Sequence, residues 1–337
     1  MIRNLSSDNK QENKIIWAVD PFEAVSELQL NVRNTLKALV HKTGAQIQPV
    51  YILTPTEINL SPEDGFALPV DHYLPSAEQT LRQMLKEVDL PHIIDPKVVV
   101  QSLSPNASAA RLLSEFAVQA EANLIVVGTH GRSGVRRLLL GSFAETLLLN
   151  SEVPVITVGP TAKKLPDFRH ILFPTNFAPG SKLVFKRVVE MAKTLGSRVT
   201  LFHSVPHPLE PIFQSGVYLL SGAWLPTESY PSDRIGKANE RACKWARWAT
   251  HQGVETDAVI DASSGNIAEF ILDLAHSRQS SMIAMQSQTG RIVSALIGSI
   301  TREVIRHADC PVWAIHDRKS TLRKEITQRS GNQHSAA

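Results

Sequence analysis

The feature that most restricts this chain is an internal repeat. Residues 14–20 read KIIWAVD and residues 170–176 read HILFPTN, which puts Asp20 and Asn176 156 positions apart. Residues 138–142 (LLLGS) are matched by 295–299 (ALIGS), with Gly141 and Gly298 separated by 157. Residues 152–158 (EVPVITV) are matched by 309–315 (DCPVWAI), with Pro154 and Pro311 again 157 apart. Three matches in one order at nearly one offset describe a unit that is present twice. The 337 residues therefore divide into a first copy at 14–160, a short polar connector at 161–169 (TAKKLPDFR) and a second copy at 170–316. Residues 1–13 are expected to be a flexible N-terminus and 317–337 a basic, disordered tail.

Each copy alternates short apolar runs with helical spacing. In the first, strands are expected at 15–19, 47–53, 97–101, 124–127 and 155–158. Helices are expected from Val25 through Leu39 to a stop at Gly44, then near 77–88, 108–120 and 142–150. The second copy repeats the plan, with strands at 171–174, 199–204, 255–260, 282–285 and 312–315 and helices near 182–195, 233–251, 266–276 and 299–307. Strands alternating with helices imply the α/β class, a doubly wound parallel sheet in each copy covered on both faces. Ligands on such a sheet bind beyond the carboxyl ends of the strands, where the strand order reverses.

A glycine pattern lies at one of those ends. After the run 124–127 comes GTHGRSGVRRLLLGSFAET, with the spacing Gly128-x2-Gly131-x9-Gly141-Ser142. Gly128 is expected to turn the chain sharply at the strand end. Gly131 and Gly134 would let a phosphate approach backbone N–H groups. Gly141-Ser142 opens a helix whose free N–H groups favour an anion, with the Ser142 hydroxyl as a further donor. Arg132, Arg136 and Arg137 add cations, and His130 lies within the same loop, either near a phosphate or exposed. The pattern lacks the GK[ST] of a Walker A loop and is not GxGxxG.

This spacing, with an opening strand that ends in Asp20, resembles the ATP-binding type of universal stress protein. The whole chain is similar to tandem members of that family over about residues 14–316. The resemblance implies two Rossmann-like domains, of the adenine-nucleotide α-hydrolase-like kind, paired about a pseudo-twofold. It implies that Asp20, flanked by Val19 and Pro21, contacts the adenine or ribose side of ATP, with Val50 packing on the base. It implies that Gly128, Gly131, Gly141 and Ser142 hold ribose and phosphate, with Phe143 adjoining. Asp20 also has a structural alternative, an Asx turn or helix cap before Pro21. The last strands of the two copies are expected to pair with each other, as a pseudo-dimer within one chain or in a homodimer.

The second copy departs from the pattern. Aligned through Gly298, Met285 stands for Gly128, Gln288 for Gly131 and Asn176 for Asp20, while Gly298-Ser299 is kept. Gly290 and Arg291 offer only partial replacement, so little or no ATP binding is expected there. A long connector, 206–232, carries Phe213, Tyr218, Trp224 and Tyr230. It is a candidate site for an apolar ligand or protein partner, or else a set of packed aromatics. Trp245 and Trp248, with Ala242 and Ala249, read as the packed stripe of an amphipathic helix. His203 and His207 straddle Pro206, a poor geometry for a shared metal. Cys310 reads as a small buried hydrophobe.

Charge and chemistry narrow the function. The net charge is +3, and the tail alone supplies it: Arg318, Lys319, Arg323, Lys324 and Arg329 oppose Asp317 and Glu325. A near-neutral folded part is unlike a nucleic-acid-binding surface. No apolar run approaches the ~18 residues of a membrane span. The polar opening MIRNLSSDNKQENK lacks an apolar leader segment, so a cytoplasmic location is expected. The glycine loop holds no acidic residue, and Glu145 is the nearest, read as a surface contact. A module that binds ATP, with or without Mg2+, is expected rather than a fast ATPase. The alternatives are an adaptor working through the aromatic connector, and a slow ATPase or self-phosphorylating protein using Ser142.

Overall fold

The computed structural model describes residues 13–23, 26–54, 70–101, 108–129, 140–162, 166–178, 180–205, 216–218, 224–226, 232–263, 265–287 and 298–316. The first copy builds β1 (Lys14–Ala18), α1 (Glu27–Thr43), β2 (Gln46–Leu53), α2 (Leu74–Lys86), β3 (Lys97–Val100), α3 (Ala109–Gln119), β4 (Leu124–Gly128), α4 (Ser142–Asn150) and β5 (Val155–Val158). The second builds β6 (His170–Pro174), α5 (Ser181–Leu195), β7 (Arg198–Ser204), a small pair β8 (Gly216–Tyr218) and β9 (Trp224–Pro226), α6 (Ser232–His251), β10 (Thr256–Asp261), α7 (Ile267–Ser277), β11 (Met282–Ser287), α8 (Ser299–His307) and β12 (Val312–His316). Of the aromatic connector, the backbones of β8 and β9 pair antiparallel, while Phe213 and Tyr230 lie outside the described residues.

Local chemistry sets the element ends. Ser26 caps α1, its Oγ accepting from the Gln29 N–H at 3.3 Å. Gly44 stops the helix in the left-handed region at φ 66°, its N–H bonding the Val40 carbonyl, a conformation that costs a residue with a Cβ about 1 kcal/mol. Gly196 stops α5 in the same way at φ 70°. The central strands are buried on both faces, as their continuous apolar runs require.

The ten long strands form one sheet, ordered β10-β7-β6-β11-β12-β5-β4-β1-β2-β3. Each half is parallel, and its order reverses between β1 and β4, or between β6 and β11. The halves meet at a single antiparallel seam, where Val155 faces Ala314, Ile156 faces Trp313 and Thr157 faces Val312. Because the repeat offset at these strands is 157, Ile156 faces its own counterpart and the pseudo-twofold passes through this pair. The expected pairing of the last strands is therefore made within one chain.

The seam is reinforced on both sides of the sheet. Thr161 Oγ1 donates to the Ala308 carbonyl at 2.7 Å. Phe168, inside the segment read as a polar connector, is fully buried in a core shared by α1 and α5. On the opposite face, Glu145 forms a half-buried ion pair with Arg302. Those two residues are also 157 apart, so Glu145 is a seam residue rather than the surface contact expected.

Candidate functional site

A cavity of about 450 Å³ opens at the carboxyl ends of β1, β2 and β4, beside the point where the strand order of the first half reverses. Part of its wall is apolar, with Ala18, Val50, Ile52, Leu113, Val127 and Phe143. The polar part of the wall is Asp20, Glu23, Gln29, Thr54 and Thr129. A chamber of that size and mixed lining is an ordinary small-ligand site.

Six of the residues singled out from the sequence meet here. Val19, Asp20, Val50, Gly128, Gly141 and Phe143 line the cavity. Pro21 is buried just outside its wall, and Ser142 is exposed at the start of α4. His130, Gly131 and Arg132 lie outside the described residues, as do Gly134, Arg136 and Arg137.

Local bonds explain the arrangement. Asp20 Oδ1 accepts from the Phe22 N–H at 2.9 Å, so the Asx turn is formed by a residue that lines the cavity. The turn and the cavity wall are one feature, not alternatives. The Val50 carbonyl accepts from the Val19 N–H at 3.1 Å, which fixes the two strand ends together. At α4 the N-cap is Gly141, which supplies no side-chain bond to the first turn. The N–H groups there retain the donor capacity that favours an anion. The Gly141 N–H donates to the Thr129 carbonyl at 2.8 Å, which brings the start of α4 to the end of β4.

Gly128 serves a different purpose from the sharp turn expected of it. It is the last residue of β4, paired in register with Val158, and is not among the glycines with positive φ. A Cβ here would stand 3.2 Å from Leu28 Cδ2 and 3.3 Å from its Cγ. The glycine lets the first turn of α1 lie against the strand end.

The second half differs at the equivalent place, and its register differs from the sequence alignment by one residue. The Asn123 N–H donates to the Lys14 carbonyl at 2.9 Å, as Ser281 does to His170 at 3.0 Å. The Ile125 N–H donates to Pro154, as Ile283 does to Pro311. Both comparisons set β4 and β11 158 apart. Gln286, not Met285, therefore occupies the Gly128 position, and Met285 matches Val127. Gln286 Oε1 accepts from Ser181 Oγ at 2.7 Å, and the same hydroxyl contacts Asn176 Oδ1 at 3.2 Å. Strand pairing likewise sets Phe202 where the first half has Val50. Larger side chains and an internal polar cluster stand at these positions where the first half has Gly128 and Val50. Asn176 keeps the Asx turn of Asp20, bonding the Ala178 N–H at 3.0 Å.

Aromatics on and beside α5 and α6 pack against one another. Phe185 stacks on Trp245 with centroids 5.2 Å apart, and Trp245 meets Phe177 edge-on at 5.0 Å. Ala242 and Ala249 are fully buried on the same helix, as the stripe predicts. His203 Nδ1 donates to the Thr175 carbonyl at 2.7 Å. Among the described residues no group of three or more His, Cys, Asp or Glu side chains is placed to hold a metal. Burial pushes the Cys310 thiol well above its usual range, which suits the small hydrophobe expected.

Sequence reasoning missed several wall residues, among them Trp17, Leu28, Gln29, Tyr51 and Thr129. Gln29 had a visible signal, because Ser26-x-x-Gln29 reads as a capping box. The structure forms only half of it. Ser26 receives the Gln29 N–H, but the Gln29 side chain turns to Glu23 instead.

A polar cluster missed entirely lies at the amino ends of the strands of the second half. His170 is 3% exposed. Its Nε2 lies 2.8 Å from Thr200 Oγ1 and its Nδ1 3.1 Å from Ser280 Oγ. Thr200 Oγ1 donates to Asp257 Oδ1 at 2.5 Å, and Arg278 pairs with the other oxygen of Asp257. Burial first, then Arg198, holds the imidazole pKa down at about 4.

The profile of the universal stress protein family matches residues 13–159 and again 167–316. A universal stress protein of Mycolicibacterium smegmatis is 24% identical over 235 residues, covering 66% of this chain and 70% of that one. One from Methanocaldococcus jannaschii is 44% identical over 55 residues, 16% of this chain and 32% of that protein's length. The crystal structure of a universal stress protein from Archaeoglobus fulgidus superposes with a TM-score of 0.62 at 18% identity, covering 91% of this chain and 99% of that one. No helix among the described residues is long and apolar enough to cross a membrane.

Proposed function

The chain belongs to the universal stress protein family, and we propose that it binds one adenine nucleotide, ATP with or without Mg2+, in its first domain as a conformational ligand. The observation that carries this reading is the cavity of about 450 Å³ in the first half, set against Gln286 and Phe202 in the same places of the second. The apolar chamber around Val50 suits a purine base. Asp20 suits the hydroxyls or amine beside it, and the uncapped start of α4 suits phosphate. His130, Gly131 and Arg132 belong to this proposal as phosphate contacts. A nucleotide seated between β1, β2 and α4 shifts the domain toward whichever conformation grips it better. Glu145, the nearest acidic residue in sequence to the glycine loop, is tied to Arg302, which favours a binding role over hydrolysis. A cytoplasmic stress-response role is part of the same reading.

The test is calorimetric titration of Mg-ATP into nucleotide-free, full-length protein, beside Val50→Phe. That substitution copies the side chain at position 202 into the open site. Saturation near one nucleotide per chain, lost in Val50→Phe while its circular dichroism is unchanged, is the expected result. Two nucleotides per chain, none, or full affinity in Val50→Phe would refute it.

A further inference from the structure

We infer that Gln29 Oε1 reads the bound ligand, accepting a hydrogen bond from an N–H or O–H of the nucleotide in the first half. The inference rests on the nucleotide reading above. Three observations lead to it.

The first is an orphan acceptor. Gln29 lines the cavity, and its Oε1 is buried with no hydrogen-bond partner among the described residues. Buried polar atoms are almost always paired, and an exception calls for a cause. A ligand that enters the cavity and draws the Gln29 amide toward it would supply the missing partner.

The second is the orientation of the amide. Gln29 Nε2 donates to the Glu23 carbonyl at 3.4 Å and to Glu23 Oε2 at 3.3 Å. Both partners are acceptors, so only the NH2 end can face them. Turning the amide over would set Oε1 against a carboxylate. Glu23 thus positions Gln29 and directs its oxygen away from the helix cap, leaving the capping box half made.

The third is the character of that wall. Asp20 and Glu23 stand beside Gln29, and the described lining contains no Lys, Arg or His. Among the described residues this side of the cavity carries carboxylate and amide oxygens, while backbone donors lie at the start of α4. A nucleotide must therefore lie with its donor-bearing part, the ribose hydroxyls or the base amine, toward α1, and its anionic part toward α4. Gln29 then separates ligands that carry the matching donor from those that lack it, because a missing donor leaves the buried oxygen unpaired again.

The experiment uses the full chain, wild type and Gln29→Met, which keeps length and flexibility but removes the strong acceptor. Affinities are measured for ATP, purine riboside triphosphate, 2′-deoxyATP and 3′-deoxyATP. The first analogue lacks the base amine, and the others each lack one hydroxyl. In the wild type one of the three is expected to bind about tenfold more weakly than ATP, the effect of one lost hydrogen bond. In Gln29→Met, ATP is expected to fall to the level of that analogue, so that the two are no longer distinguished. Unchanged ATP affinity in Gln29→Met would overturn the inference. So would an equal weakening for all four ligands with the wild-type discrimination intact, which marks a purely structural cap. Failure of the wild type to bind ATP at all would instead defeat the nucleotide reading itself.

Discussion

Acid should destabilise this protein through His170, and the structure gives both the sign and the size. Thr200 spends its hydroxyl proton on Asp257, so its oxygen must accept from His170 Nε2–H. Nδ1 is then the bare nitrogen and accepts from Ser280. The neutral ring is fully bonded, whereas a charged ring would be buried beside Arg198 with Arg278 close by. Its pKa in the fold is about 4 against the ordinary 6.5. Above 6.5 the ring is neutral whether folded or unfolded, and stability is at its full value. Between 6.5 and 4 the unfolded chain takes up a proton that the folded chain refuses, so stability falls as pH falls. At about 1.36 kcal/mol per unit the loss reaches roughly 3 kcal/mol at the low end and about 2 kcal/mol at pH 5.

Other groups titrate in the same range, so the measurement is a difference between two proteins. Urea unfolding of wild type and His170→Gln would be followed from pH 7.5 down to pH 4.5. His170→Gln should be the less stable protein at pH 7.5, and its deficit should shrink by about 2.5 kcal/mol on acidification. A deficit that stays constant within about 0.5 kcal/mol would refute the reasoning, because it would mean that the imidazole titrates alike in both states.

Two further predictions concern packing and the seam. Gly128→Val should lower stability by about 1–3 kcal/mol, since its branched side chain meets Leu28. Pairing it with Leu28→Ala should recover part of that loss, as read by thermal unfolding. Arg302→Glu, which sets two carboxylates against each other at the seam, should cost about 1 kcal/mol, and adding Glu145→Arg should restore it. A double-mutant cycle with no coupling would separate that pair from the stability of the seam.

Much of this fold could be read in advance, because its signals are local and strong. The strand cores are continuous apolar runs, and Gly44 and Gly196 mark helix ends that demand a left-handed residue. Helices α4 and α8 begin and end as expected, since a glycine N-cap opens each. The one-residue shift between β4 and β11 was not legible. Gly128 and Gly141 are 13 apart but Gln286 and Gly298 are 12 apart, and an alignment through the last glycine hides the shorter loop. Backbone hydrogen bonds reveal it. The function of Gly128 was obscure for a related reason, since its constraint comes from Leu28, a hundred residues earlier in the chain. Phe168 looked like an ordinary linker residue because nothing nearby in sequence announces the core that it enters. The His170 cluster is assembled from β6, β7, β10 and the turn between α7 and β11, and no spacing links those residues.

The seam through Ile156 and Trp313 carries a consequence for the two halves as a pair. In a dimer of identical domains, every residue on the axis must meet its own twin, so an isoleucine would face an isoleucine and a glutamate a glutamate. Covalent linkage removes that obligation. Here Ile156 lies against Trp313 and Glu145 against Arg302, a large-small match and an opposite-charge match that exact symmetry forbids. The same freedom extends away from the axis. One domain can keep an open chamber while its neighbour sets the larger side chains of Gln286 and Phe202 at the corresponding strand positions.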